Sequence, residues 1–193
     1  VLHSLGIANH RTVLYGELDF FVITPKLGVF ALEVKGGRVS CNEGIWSFTN
    51  KYGKTTSKTR GPFAQANEGM FSLIDAVKLK FGPRHRLSNL LFGTGVVFPD
   101  IEFQVDGTEG EQWQVFDMRD GHSVSNYIRR LSQNAKRKRD EQFGYFPQDK
   151  LPDAKDVKEL ATMLRGNFDK IMSIGKKIAY AEEALITLTE EQF

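Results

Sequence analysis

Two apolar runs, Phe20-Phe21-Val22-Ile23 and Val29 to Val34, are parted only by Thr24-Pro25-Lys26-Leu27-Gly28. A connector that short, with Pro and Gly in it, folds the chain back on itself, so the sequence predicts a β-hairpin here. Charge interrupts both arms. Successive strand side chains alternate faces, so Glu33 and Lys35 share one face while Leu32 and Val34 take the other. Asp19 lies about seven residues before the centre of the turn and Glu33 about seven after it, close to cross-strand register. Glu17, two residues before Asp19, falls on the same face as Asp19.

The hairpin thus gathers two or three carboxylates and one ammonium into one patch. Charges placed within a half-buried sheet are costly unless they are paired or bound to a metal. Two readings stay open at this point. One is an ion pair of Asp19 or Glu33 with Lys35. The other is a divalent-cation site, since Mg²⁺ takes one or two carboxylates and completes its shell with water and phosphate oxygens.

Further along, Gly36-Gly37 ends the second strand, with a bulge or a strand stop as its reading. Val39 to Cys41 and Ile45 to Phe48 form another short pair around Asn42-Glu43-Gly44, with Trp46 as a core anchor, and Thr55 to Lys58 adds a short strand. Pro62 suits the first position of a helix, where its missing N–H costs nothing. Phe63, Ala66, Met70, Phe71, Ile74 and Val77 follow at helical spacing until Gly82-Pro83 stops them. Leu90 to Phe98 and Trp113 to Phe116 read as strands, the first buried on both faces. Val124, Ile128 and Leu131 mark a helix that runs into Lys136-Arg137-Lys138-Arg139. Beyond Pro147 and Pro152 the pattern is helical over Asp153 to Arg165 and Phe168 to about Ile186. This order predicts an α/β or α+β fold, with a domain over 1–145 and a helical linker over 146–193.

Composition narrows the class. Fifteen Phe and two Trp supply a core, which excludes disorder. The lone Cys41 excludes a disulfide scaffold, fits a reducing cytoplasm and reads as a small buried hydrophobe. No apolar run approaches the roughly 18 residues of a membrane span. A net charge of +2 hides a segregated distribution. Lys51, Lys54, Lys58, Arg60, Lys78, Lys80, Arg84 and Arg86 face only Glu68 and Asp75 in their stretch, whereas Phe98 to Asp117 holds six acids and no base. Such segregation gives one side of a fold an affinity for polyanions. His3, His10, His85 and His122 form no spaced ligand set with Cys41 and read as surface or turn residues. Phe20, Phe21, Phe63, Phe71 and Phe92 read as packing.

Glu17-Leu18-Asp19, Gly28-Val29-Phe30-Ala31-Leu32-Glu33-Val34-Lys35, Gly44-Ile45-Trp46 and Pro62-Phe63-Ala64-Gln65 together resemble the nuclease-related domain (NERD) family, over most of Val1 to Phe98. That family is similar to the PD-(D/E)xK nucleases, so the resemblance implies a restriction-endonuclease-like mixed β-sheet flanked by helices. It implies that Asp19 and Glu33 hold Mg²⁺ or Mn²⁺ with the Val34 carbonyl as a further ligand. It further implies that Lys35 positions the attacking water, that Gln65 supports it, and that Glu17 is an additional acid. Leu18 departs from the pattern, standing where the superfamily's name has a proline. The family also implies a helix before the first strand, and this chain begins close to that strand. Leu188-Thr189-Glu190-Glu191-Gln192 is similar to the adenine-reading motif that opens superfamily I DNA helicases, although Thr-Glu-Glu-Gln also reads as a helix N-cap and first turn. An order of NERD domain, helical linker and helicase implies a helicase domain of the same polypeptide as partner.

The expectation is therefore metal-dependent hydrolysis of DNA phosphodiesters, with Lys58 and Arg60 as the first phosphate contacts and Lys51 and Lys54 beside them. Two alternatives use the same fold. One is a non-catalytic DNA-binding module that loads or tethers the helicase, recognisable by steep salt dependence without metal dependence. The other is a structural domain whose acids only form ion pairs.

Overall fold

The structure, a computed structural model, describes residues 1–8, 15–121 and 123–165, and gives the backbone alone for the strand residues between 3 and 18. A five-stranded sheet runs in the order β1 (Leu2–Ala8), β2 (Tyr15–Thr24), β3 (Gly28–Val34), β7 (Phe92–Phe98), β8 (Val115–Asp117). The first three strands are antiparallel neighbours, while β7 and β8 join in parallel, so the sheet is mixed. Between β3 and β7 the chain builds a separate antiparallel sheet of β4 (Arg38–Asn42), β5 (Ile45–Thr49) and β6 (Thr55–Lys58), then helix α1 (Pro62–Phe81). Helices α2 (Val124–Phe143) and α3 (Ala154–Leu164) complete the described chain. The fold is the expected α/β architecture, a mixed sheet flanked by helices.

The core follows from the alternation of β3. Val29 and Ala31 cluster with Leu73 and Val77 of α1, and Phe30 and Leu32 with Tyr127, Ile128 and Leu131 of α2. Covered on both faces, β3 is apolar almost throughout, as a strand next to a parallel partner has to be. Helix α2 sits close because β7 carries Gly95. A Cβ there would come 2.0 Å from the Tyr127 hydroxyl, which donates to the carbonyls of Gln114 at 2.7 Å and Val96 at 3.3 Å. Gly37, just past β3, has φ +80, and a Cβ on it would meet the Thr49 carbonyl at 2.1 Å. The strand stop read from Gly36-Gly37 is thus also the point where the main sheet hands over to the small one.

The helix bounds follow their sequence signals. Pro62 opens α1, and Gly82 closes it with φ +92. Asp153 caps α3 by accepting the Asp156 N–H at 2.8 Å. Several expectations need correction. Strand β1 pairs with β2 although the short run Leu2 to Ala8 carries little alternation of its own. Of Trp113 to Phe116, the first part is a 3-10 turn over Gln112–Gln114, and β8 starts only at Val115. Phe21, Phe63 and Phe92 are buried, as is Trp46, but Phe20 and Phe71 are 36% and 43% exposed. Phe20 lies outside the α2 cluster that covers Val22, and Phe71 sits off the α1 stripe of Phe63, Ala66, Leu73 and Val77. Cys41 is exposed rather than buried; its strand is an edge of the small sheet. His85 is the turn residue expected: its Nδ1 accepts the Leu87 N–H at 3.3 Å, and its ring stacks on Phe81. His10, His122, the 168–186 helix and the motif at 188–192 lie outside the described residues, as does the His3 side chain.

The stretch after Tyr145, read from sequence as the start of a linker, packs on the body. Leu160 is fully buried among Phe21, Leu73 and Leu87. Arg86 forks onto the buried Asp156 at 2.9 and 3.1 Å and donates to the Leu151 carbonyl at 2.9 Å. The backbone N–H groups of Leu91 and Lys26 reach the carbonyls of Lys150 and Pro152, each at 2.8 Å. Leu160→Ala should therefore lower the unfolding free energy by about 2–5 kcal/mol in urea titrations. A change within about 0.5 kcal/mol, the size of a surface substitution, would show that α3 contributes nothing to the core.

Candidate active site

The β2–β3 pairing runs from Thr24↔Gly28 to Phe20↔Leu32. One further step along this register sets Asp19 against Glu33. Phe21 and Ala31 belong to the α1 side of the sheet, so alternation puts Asp19 and Glu33 on that side too. The Asp19 carboxylate accepts the Val34 N–H through Oδ2 at 2.7 Å, which closes the end of the hairpin. On β7, Val96 lies beside Glu33 and packs against Phe63 at the start of α1. The site therefore lies where the C-terminal end of β3 meets the first turn of α1.

Glu33 is 5% exposed. Burial raises its pKa, the hydrogen bond and charge of Lys35 oppose that rise, Asp19 adds to it, and Lys58 counteracts it. Lys35 bonds Glu33 Oε1 through Nζ, and the same Nζ stands 5.6 Å from the centre of the Phe48 ring. The Lys35 backbone N–H donates to the Val97 carbonyl at 2.9 Å, so the parallel ladder continues to the lysine itself. Lys58 reaches the patch from β6, where it pairs with Trp46.

The structure thus brings together Asp19, Glu33 and Lys35, with the charge of Lys58 alongside. Glu17 lies on β2 opposite Gly6, and its side chain is outside the described residues. Val34 engages Asp19 through its amide. Gln65 turns the other way: its Nε2 donates to the carbonyls of Arg60 at 3.0 Å and Gly61 at 3.4 Å. No described hydrogen bond joins it to Asp19, Glu33 or Lys35. Its place one turn into a helix fits two roles equally, and only the loop before the helix decides between them. Arg60 forms an ion pair with Glu68. Lys51 and Lys54 lie exposed at the tip of the β5–β6 hairpin, well along the strands from the patch.

Two residues here were not anticipated. Phe48 supplies the ring beneath Lys35. Asp100 accepts the Gly37 N–H through Oδ2 at 2.6 Å and fixes the turn that follows Lys35. Asp100 was foreseeable from one signal: residues just past the C-terminal ends of adjacent parallel strands share an edge.

Among the described residues, no group of three or more His, Cys, Asp or Glu side chains is arranged to hold a metal ion. Asp19 and Glu33 are a two-carboxylate set, which suits Mg²⁺ only where water and phosphate oxygens supply the remaining ligands. In comparisons with known proteins, no family model matches the chain, and no curated protein or solved structure matches it.

The buried Glu33 gives a test in stability. Its folded pKa lies above its unfolded one, so its contribution is favourable below the unfolded pKa and is lost as pH rises through the folded value. Glu33→Gln should raise the Tm at pH 7, with the gain fading as the pH falls below about 4. A lower Tm for the variant at pH 7 would show that the Lys35 pair outweighs burial.

Proposed function

We propose that this chain is a Mg²⁺- or Mn²⁺-dependent nuclease domain of PD-(D/E)xK type that hydrolyses DNA phosphodiesters. The observation that carries the reading is the meeting of Asp19, the buried Glu33 and Lys35 on one face at the end of β3. An ion pair serving only stability needs a single carboxylate, whereas here Asp19, which also accepts the Val34 N–H, adds to the cost of ionised Glu33. In this reading Asp19 and Glu33 would hold the cation, which when bound would polarise the phosphodiester and acidify a water. Lys35 orients that water and offsets the negative charge that develops on the phosphoryl oxygens. The water oxygen bonds to phosphorus, one ester P–O bond breaks, and the proton lost by the water ends on the leaving oxygen. Lys58, close enough to act on Glu33, adds positive potential for the incoming phosphate. Gln65 acts indirectly, by holding the loop that carries Arg60.

The wider setting is part of the same proposal: a NERD-like domain of a cytoplasmic polypeptide, joined to a superfamily I DNA helicase. No described helix is long and apolar enough to cross a membrane.

One observation favours a second reading. Glu33 is already paired with Lys35, which suits a DNA-binding module without catalysis. The two separate in one assay. Nicking of supercoiled and linear DNA should require Mg²⁺ or Mn²⁺, cease with chelator, and fall about 10²-fold or more in Asp19→Asn and in Lys35→Met. Cleavage that survives these substitutions removes the assignment. Binding without any product, weakening steeply with salt, selects the module.

A further inference from the structure

The β5–β6 hairpin joins the candidate active site to solvent. At its root Phe48 is buried beneath Lys35, and Lys58 acts on Glu33. At its tip Tyr52 is 82% exposed, the most exposed aromatic side chain among the described residues. A ring so exposed is open to a partner that can use both its apolar body and its hydroxyl.

The tip is an organised turn. Asn50 Oδ1 accepts the N–H groups of Tyr52 at 3.0 Å and Lys54 at 3.1 Å. The Asn50 N–H donates to the Lys54 carbonyl at 3.0 Å, and the Gly53 N–H to the Asn50 carbonyl at 2.9 Å. Lys51 Nζ lies 5.1 Å from the centre of the Tyr52 ring and covers one of its faces.

The surroundings carry one sign of charge. From Ile45 to Asn67 the chain has no acidic residue. Because Trp46 and Phe48 point inward, the opposite face of the small sheet presents hydroxyls. Ser47 pairs with Ser57 at 2.9 Å and Thr49 with Thr55 at 2.8 Å. Lysines and hydroxyls suit a phosphate–sugar backbone, and a bare ring suits the flat face of a base. In a continuous duplex each base face is covered by its neighbour, so the ring finds a partner only where bases are unstacked.

We propose that Tyr52, flanked by Lys51 and Lys54, is a stacking seat for an unpaired base of a single-stranded or forked nucleic acid. The backbone of that strand meets Lys51 and Lys54 and passes the hairpin edge to the Phe48 face, where Lys35 lies. Tyr52 is four positions beyond Phe48, at most about 13 Å of strand. The seat therefore lies within about four stacked nucleotides of the patch. Where the strand leads rests on the nuclease reading; the binding itself does not.

The test is fluorescence anisotropy of the full chain in chelator, so that nothing is cut, with a labelled 20-mer as single-stranded DNA, single-stranded RNA, forked duplex and blunt duplex. The single-stranded and forked forms should bind more tightly than the blunt duplex. Tyr52→Ala should weaken them by roughly 5- to 150-fold and leave the duplex nearly unchanged, and Tyr52→Phe should restore binding. Lys51→Ala with Lys54→Ala should weaken every form and reduce the salt slope on single strands by roughly 0.7 per lysine. A preference for DNA or for RNA that still depends on Tyr52 supports the seat and identifies its ligand. Binding of single strands that is equal in wild type and Tyr52→Ala, equal losses on single strand and blunt duplex, or no binding by the wild type overturns it. Because this readout involves no cleavage, its failure is distinct from a failure of Asp19 or Lys35 in the nicking assay.

Discussion

The structure depends on β3 having no face toward solvent. Helix α1 covers one side through Val29 and Ala31, and α2 covers the other through Phe30 and Leu32. A strand held this way tolerates charge only at its end, where the covering helices give out. Glu33 and Lys35 occupy that end, and both the electrostatics of the site and its position in the fold follow. The carboxylate is desolvated because the sheet continues under it to Val96. The lysine is kept beside it because the parallel ladder runs one residue past the strand, through the Lys35 N–H.

Asp19 belongs to the same constraint. Its carboxylate accepts the Val34 N–H at the point where the described β2–β3 pairing ends, so it does structural work that any function must share. An Asp in this role brings a second negative charge toward Glu33, which further disfavours ionised Glu33. Lys35 and Lys58 offset part of that cost. A divalent cation would offset more, and that unbalanced charge gives the metal-dependent reading its physical basis. It also accounts for the alternative: with Lys35 in place the patch is tolerable without a cation.

Much of this was legible before the structure. The turn at Pro25 to Gly28 fixed the register, and the register put Asp19 opposite Glu33. Pro62 and Gly82 bounded α1, and Gly36-Gly37 ended β3. What sequence could not supply was which partners the side chains in and before the first turn of α1 turn to. Gln65 has the right helical position for a catalytic role, yet its amide answers the Arg60 and Gly61 carbonyls. Arg60 was read as a phosphate contact from its place just upstream of Gln65, and its ion pair with Glu68, eight residues on, forms only across the loop and helix. The packing of α3 was hidden likewise, since its tie to the body is a pairing of Arg86 with Asp156, 70 residues apart.

The crossover from β3 to β7 shows how these pieces serve one end of the molecule. A parallel connection needs a long excursion, and here it holds the whole small sheet as well as α1. Asp100, just beyond β7, returns to the Gly37 N–H just beyond β3, so the excursion starts and finishes at one sheet edge. The small sheet is thereby hinged beside Lys35, its inner ring Phe48 under the ammonium and its tip out in solvent. A strand of polyanion lying on that tip would be led past the hairpin edge toward the place where Asp19, the buried Glu33 and Lys35 converge.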